Sequence, residues 1–203
     1  MNKSELRKEL DELVHIFLSA KLYYLDFKYL HLIKNTLPSI YSTYKTFIDR
    51  MYYASCVIII LNFNKLLSKR DKSGFWKFKN RLTDNYHNSE IKEYLSISEI
   101  NILINDLYSE KIVSIISKIE TTRDEYYAHF DKNRTDFDEI KINALETDLI
   151  ISKSEIFLKN IELKYFDLDR DYSMTERELG CNLFEELEKY RFKRMDSNHK
   201  NNS

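Results

Sequence analysis

MYYASCVIIILNF, Met51 to Phe63, is the most apolar run in the chain, and its reading decides the fold. At 13 residues it falls short of the ~20 apolar residues that cross a bilayer. It reads instead as a helix buried in a protein core. The helix around it spans roughly 39–68 and carries Tyr44, Phe47, Met51, Ala54, Ile58, Leu61 and Leu66. Its middle is apolar on all sides, which predicts the centre of the core.

Working outward, Leu6, Leu10, Leu13, Phe17, Leu22, Leu25, Tyr29 and Leu32 recur at helical steps, with Ser4 as the expected N-cap. This first helix is expected to end before Pro38, because proline disfavours a helical residue ahead of it. On the other side, KRDKSG (69–74) reads as a loop and SGFWKFKNRLTDNYH as a shorter helix from near Ser73. Residues from Ser98 to about Phe130 form one long helix or two with a break near Ser109. DKNRTD is the next loop, followed by a helix over about 141–165 and the linker DLDRDYSM. A last short helix opens on a capping box at Thr175 and Glu178, and the tail DSNHKNNS is expected to be disordered.

Composition supports this outline. The 203 residues include only 2 Gly and 1 Pro, the two residues on which turns and hairpins lean. The expectation is an all-α bundle of four longer helices plus short accessory helices, with a domain over 1–170 and a C-terminal short helix and tail over 171–203. Lys and Arg number 32 and Asp and Glu 33, so the net charge is −1. Any polyanion must therefore be gripped by a local patch. Cys56 and Cys181 fit no metal or disulfide framework and read as reduced thiols. The N-terminus MNKSELRKELDEL is charged throughout, so no signal peptide is expected. A cytoplasmic protein with no cofactor, metal or membrane partner is expected.

Chemistry concentrates in TTRDEYYAHFDKNR, Thr121 to Arg134. An arginine followed at five or six positions by a histidine occurs three times: Arg81 with His87, Arg194 with His199, and Arg123 with His129. Only the Arg123 pair lies at the C-terminal end of a long helix anchored by upstream apolar residues, Ile112, Ile115, Ile116 and Ile119. On a regular helix six positions turn by ~600°, which leaves ~120° between the two side chains. One helix therefore does not aim both at one atom, and a second copy of the chain would complete a shared site. Histidine can take the proton from a 2′-hydroxyl or supply one to a leaving oxygen, and arginine can hold the phosphate. Asp124 would orient Arg123. Glu125, four positions before His129, would raise the histidine pKa, and Tyr126 would help position it. The plainer alternative is a solvated helix end.

RDEYYAHFD, Arg123 to Asp131, resembles the signature of HEPN domains, specifically the abortive-infection (AbiU-like) branch. That pattern runs Arg, polar, charged, two larger residues, then Ala-His-x-Asp. The resemblance covers roughly residues 5–170. It implies a HEPN-like helical bundle, a homodimer with the two motifs facing each other, and metal-independent endoribonuclease activity in antiphage defence or as a toxin. Arg123, His129 and Asp124 take the catalytic positions, with Asp131 matching the pattern. RNA is the implied substrate rather than DNA, and an antitoxin such as a nucleotidyltransferase is an implied partner. Glu125 stands where the branch more often has a basic residue. That departure motivates a second expectation, a non-catalytic HEPN-fold module binding RNA or a protein.

KLLSKRDKSGFWKFKNR, Lys65 to Arg81, holds seven basic side chains against the single acid Asp71, with Phe75, Trp76 and Phe78 among them. Basic charge with aromatics grips phosphates and stacks bases. Lys69, Arg70, Lys72, Lys77, Lys79 and Arg81 are the expected RNA-binding set. The alternative places the aromatics in the core or a subunit interface and the lysines in solvent.

Overall fold

The computed structural model describes residues 3–84, 86, 90–128 and 141–173. Among these residues the chain forms six α-helices and no strand, as the all-α expectation required. They are α1 (Lys3–Thr36), α2 (Pro38–Leu67), α3 (Phe75–Asp84), α4 (Ile97–Leu107), α5 (Glu110–Thr122) and α6 (Ala144–Ile161). A short 3-10 turn covers Glu90–Glu93, and π-helical turns cover Arg123–Ala128 and Glu162–Phe166. The DKNRTD loop, the capping box at Thr175 and Glu178, and the DSNHKNNS tail lie outside the described residues.

Local chemistry explains the boundaries. Pro38 opens α2 at the first helical position, where its missing N–H costs nothing. The break expected near Ser109 falls between Tyr108 and Ser109, so this region is two helices. Capping boxes start α4 (Ser96 with Glu99) and α6 (Asn143 with Glu146), each cap contributing about 1 kcal/mol. Ser4 is not the cap of α1, because the helix already includes Lys3.

Compactness divides the described residues into two units. The first comprises residues 3–21, 57–84, 86, 90–128 and 141–172. The second comprises 22–56 with Ser173.

The second unit is a helical hairpin closed at Leu37 and Pro38. Leu30, Ile33 and Ile48 form its core, flanked by Tyr29, Tyr44, Met51 and Tyr52. Lys34 pairs with Asp49 at 3.1 Å, and the Tyr41 hydroxyl donates to the same carboxylate at 3.1 Å. A kink at Tyr44 (φ −111°, ψ 19°) has a local cause. The hydroxyls of Ser42 and Thr43 both donate to the Ser39 carbonyl, and such back-bonding bends helices.

In the first unit the buried face of α1 runs Leu6, Leu10, Leu13, Phe17 and Ala20, steps of three and four that keep one side inward. Phe75, Phe78 and Leu82 turn the apolar face of α3 inward, with Phe75 packed edge-on against Phe157 of α6 at 5.1 Å. Ion pairs tie α6 to its neighbours: Lys118–Glu146 at 2.7 Å and Lys153–Asp106 at 2.6 Å. After the second π turn the chain reverses at Asp167 (φ 54°), a left-handed position that aspartate tolerates. Residues 168–172 then lie back on the unit. Tyr172 donates to Glu162 at 2.5 Å, and both are fully buried. Arg170 bridges Glu162 and Asp11, and Lys21 donates to the Tyr172 carbonyl at 2.6 Å.

Two expectations for the long helices need correction. In the second half of α1 the buried positions are Tyr24, Leu30 and Ile33, not Leu22, Leu25, Tyr29 and Leu32, and Leu32 is exposed. A 3.6-residue period drifts out of phase with a fixed step over a helix this long. In α2 the apolar middle is not enclosed: Tyr53 is 61% and Leu61 43% exposed, while Ile59, Ile60 and Phe63 face inward. By length and composition α2 could cross a membrane, and only 28% of its most apolar window is buried. Hydropathy alone does not report how many sides of a helix find a neighbour.

Candidate functional site

The Arg123 segment is built on α5. Ile112, Ile115, Ile116, Ile119 and Thr122 are buried, so the last two turns of this helix are fixed by packing. At Arg123 the α-helix passes into a π turn that runs to Ala128. Single π turns inside helices are rare and are found often at functional sites.

Within that turn Asp124 lies on the arginine. The guanidinium Nε donates to Asp124 Oδ1 at 2.7 Å, and Nη2 reaches the same oxygen. Both side chains face solvent, at 35% and 43% exposure, so the pair adds little stability. Its effect is orientation: one edge of the guanidinium is engaged, and Nη1 carries further donors suited to a phosphate oxygen. Glu125 is half-buried in the same turn, and Tyr126 belongs to it by its backbone. His129, Asp131 and His87 lie outside the described residues.

The basic segment divides into parts with different surroundings. Phe75 and Phe78 are core residues, as the plainer reading had it, whereas Trp76 is half-exposed. Lys69, Arg70, Lys72 and Lys77 are exposed. Arg81 is ion-paired with Glu9, which uses its charge within the protein. Lys72, Lys77 and Arg81 line a small cleft of about 70 Å³ together with Glu9 and Glu12. Acidic neighbours there reduce the pull on a polyanion. Lys69 and Lys79 instead flank Trp76, at 4.1 and 5.4 Å from its ring centre.

A link that sequence reasoning missed joins this segment to the Arg123 helix. Ser68 donates to Glu120 at 2.5 Å across 52 positions. Glu120 precedes Arg123 by three residues, a rise of ~4.5 Å along the helix. The turn holding Lys69 and Arg70 is thus docked one helical turn from Arg123. Tyr108 braces it by donating to the Leu67 carbonyl at 2.9 Å. Burial pushes the Tyr108 hydroxyl well above the usual tyrosine range, opposed by the Trp76 backbone N–H and aided by Glu120, so it remains a donor. No local pattern marks Ser68, Tyr108 or Glu120.

No family model, curated protein or solved structure matches this chain.

Proposed function

We propose that this chain is a metal-independent endoribonuclease of HEPN type. The reading rests on the resemblance of RDEYYAHFD and on one observation. Arg123, oriented by Asp124, stands on a π turn at the end of a core-anchored helix, one turn beyond the residue that docks a basic loop.

In this mechanism Arg123 holds the scissile phosphate and offsets the charge that builds on it. His129 removes the proton of the 2′-hydroxyl. The 2′-oxygen bonds to phosphorus, the bond to the 5′-oxygen breaks, and that oxygen takes a proton from an imidazolium. The products are a 2′,3′-cyclic phosphate and a 5′-hydroxyl. A homodimer with facing motifs supplies two histidines for the two proton transfers. DNA, lacking the 2′-hydroxyl, is not cut. The setting is the cytoplasm, in antiphage defence or as a toxin held by an antitoxin such as a nucleotidyltransferase.

The test is incubation of purified protein with total RNA in EDTA. The parent cleaves, whereas folded Arg123→Ala and His129→Ala do not, and both variants relieve growth arrest on overexpression. Equal cleavage by parent and variants refutes the assignment. A folded dimer that binds RNA without cutting it supports the second reading, a HEPN-fold interaction module. The observation favouring that reading is local acidity: Asp124 already occupies Arg123, and Glu125 shares the turn.

A further inference from the structure

We propose that Trp76 is a stacking platform for an unpaired base, so that this face selects single-stranded RNA. The inference rests on the RNA-binding reading above and names the form of RNA that reading leaves open.

Three observations carry it. The first is placement. Phe75, Phe78 and Leu82 point into the core, and Trp76 and Lys79, three positions apart, lie together on the adjacent side of α3. Trp76 is the one aromatic of the GFWKF run left half-exposed. The second is its cover. Lys69 Nζ stands 4.1 Å and Lys79 Nζ 5.4 Å from the ring centre. Lysine ammoniums on flexible stems are displaceable, and stacking by a base is stronger than an exposed cation–π contact. A base arriving on the indole therefore releases two ammoniums to its flanking phosphates.

The third observation is rigidity. The Tyr108 ring meets Trp76 edge-on at 5.3 Å, and its hydroxyl is bonded to the Leu67 carbonyl. Asp71 accepts from the Ser73 backbone and hydroxyl at 2.9 Å each, closing the turn before α3. Gly74 sits so close to α2 that a β-carbon would stand 2.7 Å from the carbonyls of Lys65 and Leu66. Tyr108 and the closed turn before α3 thus brace the indole from the protein side. Along its length a duplex keeps its bases stacked inside and exposes a face only at its two end pairs, whereas a single strand offers one at every unstacked base.

Trp76 is the sole tryptophan of the chain, so its emission reports on the platform directly. The experiment titrates the full-length His129→Ala protein, to exclude cleavage, with oligouridylate, a blunt RNA duplex and inorganic polyphosphate. Oligouridylate is expected to quench the emission. Duplex and polyphosphate are expected to bind through charge without that quench. Trp76→Ala is expected to weaken oligouridylate binding about tenfold or more, with Trp76→Phe retaining most of the affinity because a ring remains. Equal affinity of Trp76→Ala and parent, with helical content unchanged, overturns the platform, as do equal quenching by duplex and single strand or no RNA binding at all. Binding intact without cleavage by the parent refutes the nuclease reading alone. Cleavage intact with Trp76→Ala indistinguishable from parent refutes the platform alone.

Discussion

Replacing Tyr172 by phenylalanine removes one oxygen and tests the buried network that holds residues 168–172 in place. Tyr172 and Glu162 are both 0% exposed, and their oxygens lie 2.5 Å apart. The other Glu162 oxygen has Arg170 Nε at 3.1 Å as an ion pair off hydrogen-bond alignment. In Tyr172→Phe the fully buried carboxylate loses its aligned donor. A hydrogen bond to a charged group contributes ~1.5–3 kcal/mol, and that is the expected loss. For a chain of this length it corresponds to a fall of roughly 3–12 °C in melting temperature. Ring packing against Phe17, edge-on at 5.7 Å, is retained, so the loss belongs to the hydroxyl.

The pH dependence has a defined sign. Burial, then the hydrogen bond to Glu162, pushes the Tyr172 hydroxyl far above the usual tyrosine range. A folded-state value above the unfolded one means the contribution is full below ~pH 10 and is lost as pH rises through the folded value. The difference between parent and Tyr172→Phe is therefore constant from neutral pH to ~pH 10 and shrinks above it. Urea unfolding followed by circular dichroism measures both. Asp11→Asn serves as the control: Asp11 is 45% exposed, and its pair with Arg170 is expected to contribute less than ~1 kcal/mol. A Tyr172→Phe penalty under ~0.5 kcal/mol, the range of ordinary surface changes, would refute the reasoning.

Three further predictions follow from other parts of the fold. Gly74→Ala forces a β-carbon against the helix carbonyls of Lys65 and Leu66, which cannot rotate away. A destabilisation of ~1–3 kcal/mol is expected by thermal melting, the usual cost of overpacking, and an unchanged melting temperature would contradict it. Glu99, hydrogen-bonded by Lys164 and by Ser96, has its carboxyl held down to about 2. A lowered folded-state value gives stability that is present above ~pH 4.3 and lost as pH falls toward the folded value. Glu99→Gln is thus less stable than parent at neutral pH, and the two converge near pH 2. Burial raises the Cys56 thiol to about 11. In a Cys181→Ser background, alkylation near neutral pH is expected to be slow until urea unfolds the protein, and rapid labelling of the native chain would show the thiol to be accessible.

Much of the fold was legible locally. The scarcity of glycine and proline excluded a strand-rich architecture, Pro38 placed the first helix end, and Ser109 marked the α4–α5 break. These depend on residues within one or two turns of each other. Arg123 and Asp124 were legible as neighbours for the same reason, and their contact in the structure is between adjacent positions.

Other features had no local signature. In the GFWKF run, sequence could not separate Phe75 and Phe78 from Trp76, because all three are aromatic and only the position of α6 and Tyr108 sorts them. The charge of Arg81 looked available until the fold brought Glu9 to it. The α2 run MYYASCVIIILNF read as fully enclosed, since hydropathy counts apolar side chains and not the neighbours that cover them.

By itself, the sequence determined helix content, most helix ends and the chemically distinctive RDEYYAHFD segment, because hydrogen bonding, capping and periodicity act over about four residues. Only the tertiary structure decided that Ser68 meets Glu120, that Glu162 is buried beneath Tyr172, and that Trp76 stays half-exposed between two lysines. Those contacts join elements distant along the chain or set the depth of a side chain, and both depend on how whole helices pack.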